Sequence, residues 1–120
     1  MTKNIGLEKL KSKIQIDLVF RKGYVVRYGA LIIHFLIPPK HEIECVYIGV
    51  GVPKKTMLMA HQRNQIKRQI KTIIRQQKEN LLLSLSPGFY MVLYKGKVGV
   101  SYESLSQDFQ VLLKHFSKCD

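Results

Sequence analysis

The stretch Val46-Tyr47-Ile48-Gly49-Val50-Gly51-Val52-Pro53, with Arg63-Asn64-Gln65-Ile66-Lys67-Arg68-Gln69-Ile70-Lys71-Thr72-Ile73-Ile74-Arg75 after it, sets two periodicities side by side. In the first, Val46, Ile48, Val50 and Val52 alternate with Tyr47, Gly49 and Gly51, the period of a β-strand. The branched face asks for a helix to cover it, and the glycine face is smooth enough for a close neighbour, protein or ligand. In the second, at about 100° per residue, Arg63, Lys67, Lys78, Lys71, Asn64, Arg75 and Arg68 share an arc of roughly 140°. Met59, Ile66, Ile70, Ile73 and Ile74 occupy an adjoining arc of roughly 100°, and Gln62, Gln65, Gln69, Thr72 and Gln76 fill the remainder. A strand thus feeds a helix with an apolar seat, a cationic blade and a neutral polar side.

The blade is unusual in its charge. Between Glu44 and Glu79 stand eight Lys or Arg and no acid. A solvated helix face normally interleaves Glu with Lys, whereas here Arg63, Lys67, Lys71 and Arg75 place like charges at i,i+4. A polyanion would turn that repulsion into binding. Arginines grip phosphates bidentately, lysines act as point charges, and Asn64 can hydrogen-bond sugar or base edges. Lys54-Lys55 precedes the helix, whose free N-terminal N–H groups add to anion attraction. From Arg63 to Arg75 the blade spans about 18 Å, enough for several phosphates.

Composition agrees. The 120 residues suit one domain, residues 1–120, with 46% apolar residues and hence a real core. Twenty basic against eight acidic residues give a formal charge of +12, which points to nucleic acid first and an anionic membrane second. A membrane-surface helix would carry aromatic or Leu anchors beside its basic arc, and here isoleucines suited to a core stand instead. The longest apolar runs, about nine residues, are half a membrane span, and Met1–Gly6 lacks the apolar region of a signal segment. Cys45 and Cys119 form no C-x-x-C, and His34, His41, His61 and His115 show no metal-ligand spacing. A reducing cytoplasm and two inert thiols are expected.

Around the central stretch, Leu7 to Lys22 reads as a helix ended by Gly23, with Ser12 as a candidate N-cap. Leu7, Leu10, Ile14 and Leu18 form one apolar line on it, while Ile16 and Phe20 form another pointing nearly the opposite way. Either both sides are buried or the second stripe edges a groove. Tyr24–Tyr28 and Leu31–Ile37 read as one long strand with an irregularity at Gly29, stopped by Pro38-Pro39 and turning through Glu42. Ser86-Pro87-Gly88 turns into the strand Phe89–Tyr94, followed by a Lys95-Gly96-Lys97 turn. From Tyr102 to Phe116 the residues Leu105, Phe109, Leu112, Leu113 and Phe116 mark an amphipathic helix. The order α-β-β-β-α-β-α implies an α+β fold, one sheet packed with three helices.

Catalytic patterns are missing. Gly49-Val50-Gly51-Val52-Pro53-Lys54 is neither a dinucleotide fingerprint nor a Walker motif. The scattered carboxylates form no acid/base pair or Mg²⁺ cluster, and no serine sits in a nucleophile elbow. No catalytic residue and no metal ligand is assigned, and no small-molecule substrate is expected.

Taken together, Val50-Gly51-Val52-Pro53-Lys54-Lys55, Ala60 and Arg63-Asn64-Gln65-Ile66-Lys67-Arg68 resemble the signature segment of the bacterial ribonuclease P protein component. In that family a strand ending in Lys-Lys leads to a helix with an Arg-Asn-x-x-Lys-Arg core. Asp17–Gly23 is similar to its first helix and following glycine, and Phe89–Leu93 and Leu105–Phe116 to its last strand and helix, so the likeness covers about residues 10–116. The resemblance implies a small α/β sandwich with a left-handed β-α-β crossover around the basic helix. It implies partnership with a catalytic RNA that removes the 5′ leader of precursor tRNA using Mg²⁺, the protein supplying no catalytic group. Lys54, Lys55, Arg63, Asn64, Lys67, Arg68, Lys71 and Arg75 would face that RNA, and Ile16, Phe20, Ile32 and His34 would line a groove for the single-stranded leader. An RNA-binding or chaperone-like domain of similar fold, without a processing role, is the alternative. The chain departs from the family at Gln65 and Gln69, often basic there, and at Thr72-Ile73-Ile74. Ile16 stands for a usual Phe, His34 for a frequent Tyr, and Gly51 and Pro53 for common serines.

Overall fold

The computed structural model describes residues 6–38, 45–55, 58–96 and 100–118. In chain order they form β1 (Gly6–Lys9), α1 (Lys13–Lys22), β2 (Tyr24–Tyr28), β3 (Leu31–Leu36), β4 (Cys45–Gly51), α2 (Ala60–Gln76), α3 (Lys78–Ser84), β5 (Gly88–Tyr94) and α4 (Tyr102–Lys118). The five strands make one sheet in the order β1-β4-β5-β3-β2. β4 runs parallel to both β1 and β5, while β3 is antiparallel to β5 and to β2. Because β4 and β5 are parallel neighbours, the chain between them must cross over, and α2 and α3 lie in that crossover.

Period-two alternation divides the sheet cleanly. Val46, Ile48 and Val52 of the β4 region join Leu31 and Ile33 of β3 and Tyr90, Val92 and Tyr94 of β5 in the main core. That core is closed by Ile66, Ile70, Ile73 and Ile74 of α2 and by Leu105, Phe109, Leu112, Leu113 and Phe116 of α4. The opposite face, carrying Tyr47, Phe89, Met91 and Leu93, packs with Leu10 and with Ile16 and Val19 of α1. The expectation of an α+β chain with one sheet packed by helices is met, with β1 and α3 added to the element order.

Three local expectations change. The first helix begins at Lys13, because Ser12 has extended backbone and its Oγ accepts from the Gln15 N–H. Leu7 therefore sits in a strand, and Ile14 is 74% exposed while Val19 is fully buried, so the helix seats on Ile16 and Val19. The expected long strand is a hairpin: Tyr28 pairs with Leu31 across a two-residue turn. Gly29 takes φ +61°, a left-handed conformation that lets so short a turn match the twist of its strands. In the middle of the chain, Met59 is the cap residue of α2 and is exposed, and Gln77 (φ −102°, ψ 22°) breaks the helix, so Lys78 belongs to α3. Finally, Met1, Pro39, His41, Glu42, Lys97 and Cys119 lie outside the described residues, and Cys45 is a free thiol.

Candidate nucleic-acid interface

The blade of α2 follows from its apolar seat. Ile66, Ile70, Ile73 and Ile74 are all buried against β4 and α4, which turns the cationic arc away from the core. Asn64, Arg68, Lys71 and Arg75 are exposed. Arg63 and Lys67 are half-buried, as expected for the two cations closest in angle to Ile74. Arg63 also has a local task, since its Nη1 donates to the Leu58 carbonyl at 2.7 Å and ties down the chain entering the helix. No acidic side chain occurs anywhere in α2, and the cap residue Met59 supplies no side-chain hydrogen bond to the first turn. The positive end of the helix dipole thus lies at the end of the helix nearest in sequence to the exposed Lys54 and Lys55.

Part of the neutral side of α2 is used internally. The Tyr102 hydroxyl meets Gln76 Oε1, and Gln77 Nε2 donates to Ser106 Oγ at 2.9 Å, joining this end of the helix to α4. Thr72 Oγ1 donates back to the Arg68 carbonyl at 2.9 Å, which satisfies the hydroxyl within its own helix. Only the C-terminal end of that side meets α4, and Gln65 stays exposed beside the cations.

A second feature lies across the sheet. α1 packs on β3 and β5, and Phe20 meets His34 of β3 with ring centroids 4.8 Å apart at 65°. Phe20 is 41% exposed, Ile16 and His34 are half-buried, and Ile32 is buried, so the exposed ring of Phe20 stands over the less exposed His34. Gly49 and Gly51 do not stay bare. A Cβ on Gly49 would meet the Met91 sulfur at 2.6 Å, and one on Gly51 would meet the Leu93 side chain at 3.1 Å. The two β5 side chains occupy the space that a side chain at either glycine would need.

Three cations and bases converge here that sequence reading did not group. Burial lowers the pKa of His34, and the nearby Lys95 and Arg27 lower it further, so the ring favours its neutral form. Arg27 pairs with Ile32 and Val25 with His34 in the hairpin register, which puts all four on one face. Strand alternation places Arg27 on the His34 face, whereas Lys95, four residues beyond the His34 partner Met91, acts on the ring through its charge along β5. Gly51, on this same face, lies just before Lys54-Lys55, so β4 connects the groove to the basic helix. Among the described residues, no group of three His, Cys, Asp or Glu could hold a metal ion, and no helix is long and apolar enough to cross a membrane.

A single sheet with a basic, acid-free helix on one face and a partly exposed aromatic pair on the other makes an α+β protein suited to a polyanion such as RNA. The comparisons narrow that class. The family model described as Ribonuclease P matches residues 6–117, and the chain belongs to that family. It is a subunit of ribonuclease P, acting in tRNA processing. Among solved structures, the RNase P protein of Staphylococcus aureus superposes with TM-score 0.72 at 19% identity, over 89% of this chain and 93% of that one. The RNase P protein from Thermotoga maritima gives TM-score 0.72 at 20% identity, over 89% of this chain and 96% of that one. At such identities the likeness is one of fold. The comparison with curated proteins gave no match.

Proposed function

We propose that this subunit works in the cytoplasm by binding two RNAs at once. The exposed cations of α2, together with Lys54 and Lys55, hold the catalytic RNA of ribonuclease P. The groove walled by Ile16, Phe20 and His34 and floored by Ile32 takes the single-stranded 5′ leader of precursor tRNA. Bond cleavage is assigned to the RNA, where Mg²⁺ would supply the metal chemistry. This chain's residues bind and orient: cations neutralise phosphates, and the Phe20 and His34 rings offer faces to unpaired bases.

The observation that carries this reading is the uninterrupted positive face of α2 set on buried isoleucines. Such a face is costly to leave unpartnered and fits a polyanion. The test is reconstitution with a ribonuclease P RNA and precursor tRNA at low Mg²⁺, where cleavage should rise well above that of the RNA alone. Absence of any rise would overturn the assignment of these two surfaces to the catalytic RNA and the leader.

A further inference from the structure

α1 has two flanks, and the leader groove uses one of them. At about 100° per residue, Val19 points into the sheet, Ile16 and Phe20 turn to one side, and Gln15 turns to the other. On the Gln15 side lies an open cleft of about 410 Å³, lined in part by Lys9, Lys11, Gln15, Tyr47 and Phe89. Tyr47 and Phe89 are register partners on β4 and β5, and their rings stack with centroids 5.4 Å apart at 26°. Both are half-buried, so each keeps surface to offer to the cleft. Lys11 is exposed at the cleft and Lys13 begins the helix beside it, whereas Lys9 pairs in register with the core residue Ile48 and so its side chain belongs to the other face, and Glu8, the register partner of Tyr47, is the one acid on the cleft side.

An aromatic platform next to a net positive rim is the chemistry that takes an unpaired nucleotide: the base stacks and the phosphate meets a lysine. Gln15 adds an amide able to hydrogen-bond a base edge. A purely apolar ligand would leave the lysines unused, and a bare anion would leave the rings unused. We infer that this cleft is a second single-stranded RNA subsite, holding a nucleotide of the precursor's leader that lies upstream of those in the Phe20 groove. The leader is the occupant because the two flanks are separated only by the outer face of α1, a path of about 16–19 Å over a helix about 10–12 Å across, which three or four nucleotides span. This inference rests on the leader reading of the groove.

The test uses the reconstituted holoenzyme and precursors whose leaders are shortened stepwise from the 5′ end. With Tyr47→Leu, affinity for the longest leader should fall about tenfold, the loss shrinking to nothing as the leader shortens. Tyr47→Phe, which keeps the ring, should restore binding. Lys11→Ala should shallow the log–log salt dependence by about 0.7, one phosphate contact to a single strand. Equal loss for short and long leaders would overturn the inference, since the cleft would then face the catalytic RNA or Tyr47 would be structural. Unchanged binding in Tyr47→Leu would overturn it as well. Phe20→Ala measured in parallel separates the two readings: leader discrimination lost there but kept in Tyr47→Leu sinks only the second subsite, and discrimination untouched by both sinks the groove too.

Discussion

The rings of Phe20 and His34 meet edge to face, 4.8 Å apart, tying the last turn of α1 to the middle of β3. Phe20 remains 41% exposed in that contact. A residue placed only for packing would bury its ring, and this one keeps a face for a partner. Phe20→Ala should therefore weaken leader-bearing precursor by roughly tenfold, as for the loss of one stacked base, with little change for mature tRNA. Direct binding measurements on the two substrates decide it, and equal weakening of both would remove the groove from the leader's path.

The cations of α2 divide by their surroundings. Arg68 and Lys71 are exposed, whereas Arg63 is half-buried and anchors the Leu58 carbonyl. Arg68→Ala with Lys71→Ala should leave the unfolding midpoint in place while shallowing the log–log salt dependence of RNA binding by roughly 1.4–1.8. Binding titrations across a salt series provide the slope. An unchanged slope would mean that RNA docks elsewhere.

Arg63→Ala should behave differently from that pair. Its hydrogen bond fixes the approach to α2, so its removal should lower stability by about 0.5–1.5 kcal/mol as well as weaken RNA binding. Urea unfolding of the protein without RNA isolates the first effect. A midpoint equal to the parent's would assign Arg63 wholly to the interface.

How much of this was legible in the sequence depended on the range of the interaction. Ile66, Ile70, Ile73 and Ile74, and the five apolar residues of α4, repeat at helical spacing, and all nine are buried as their period implies. β1 was hidden because four residues, Gly6–Lys9, carry too little alternation, and their partner Cys45–Ile48 is remote in sequence. Gly29 was read as an irregularity within one strand because nothing local distinguishes a bulge from a reversal. Phe20 and Ile16 left a groove and a buried side equally open, and only the packing of α1 on β3 separates them. The Tyr47–Phe89 pair had no sequence signature, since a parallel register between distant strands creates it.

Ile70 tests whether the seat of α2 controls its blade. The side chain is 1% exposed within the main core. Ile70→Ala should cost about 2–5 kcal/mol by lost burial and the cavity left behind. Urea unfolding measures it, and a change under about 1 kcal/mol would show that the helix is not seated through this residue.

His34 gives the chain a pH dependence whose sign differs between folding and binding. Its folded-state pKa lies below the ordinary 6.5, chiefly from burial and then from Lys95 and Arg27. The unfolded chain thus binds a proton more readily, so this residue's contribution to stability is complete above pH 6.5 and is lost as pH falls through the lowered value. A leader phosphate in the groove opposes those cations and favours the protonated ring. Affinity for single-stranded RNA should therefore rise as pH drops from about 7.5 to about 5.5, with uptake of a proton. His34→Phe keeps an aromatic face without the titration and should flatten that rise while still binding. If the variant retains the parent's full pH dependence, the proton goes elsewhere and His34 does not meet the leader.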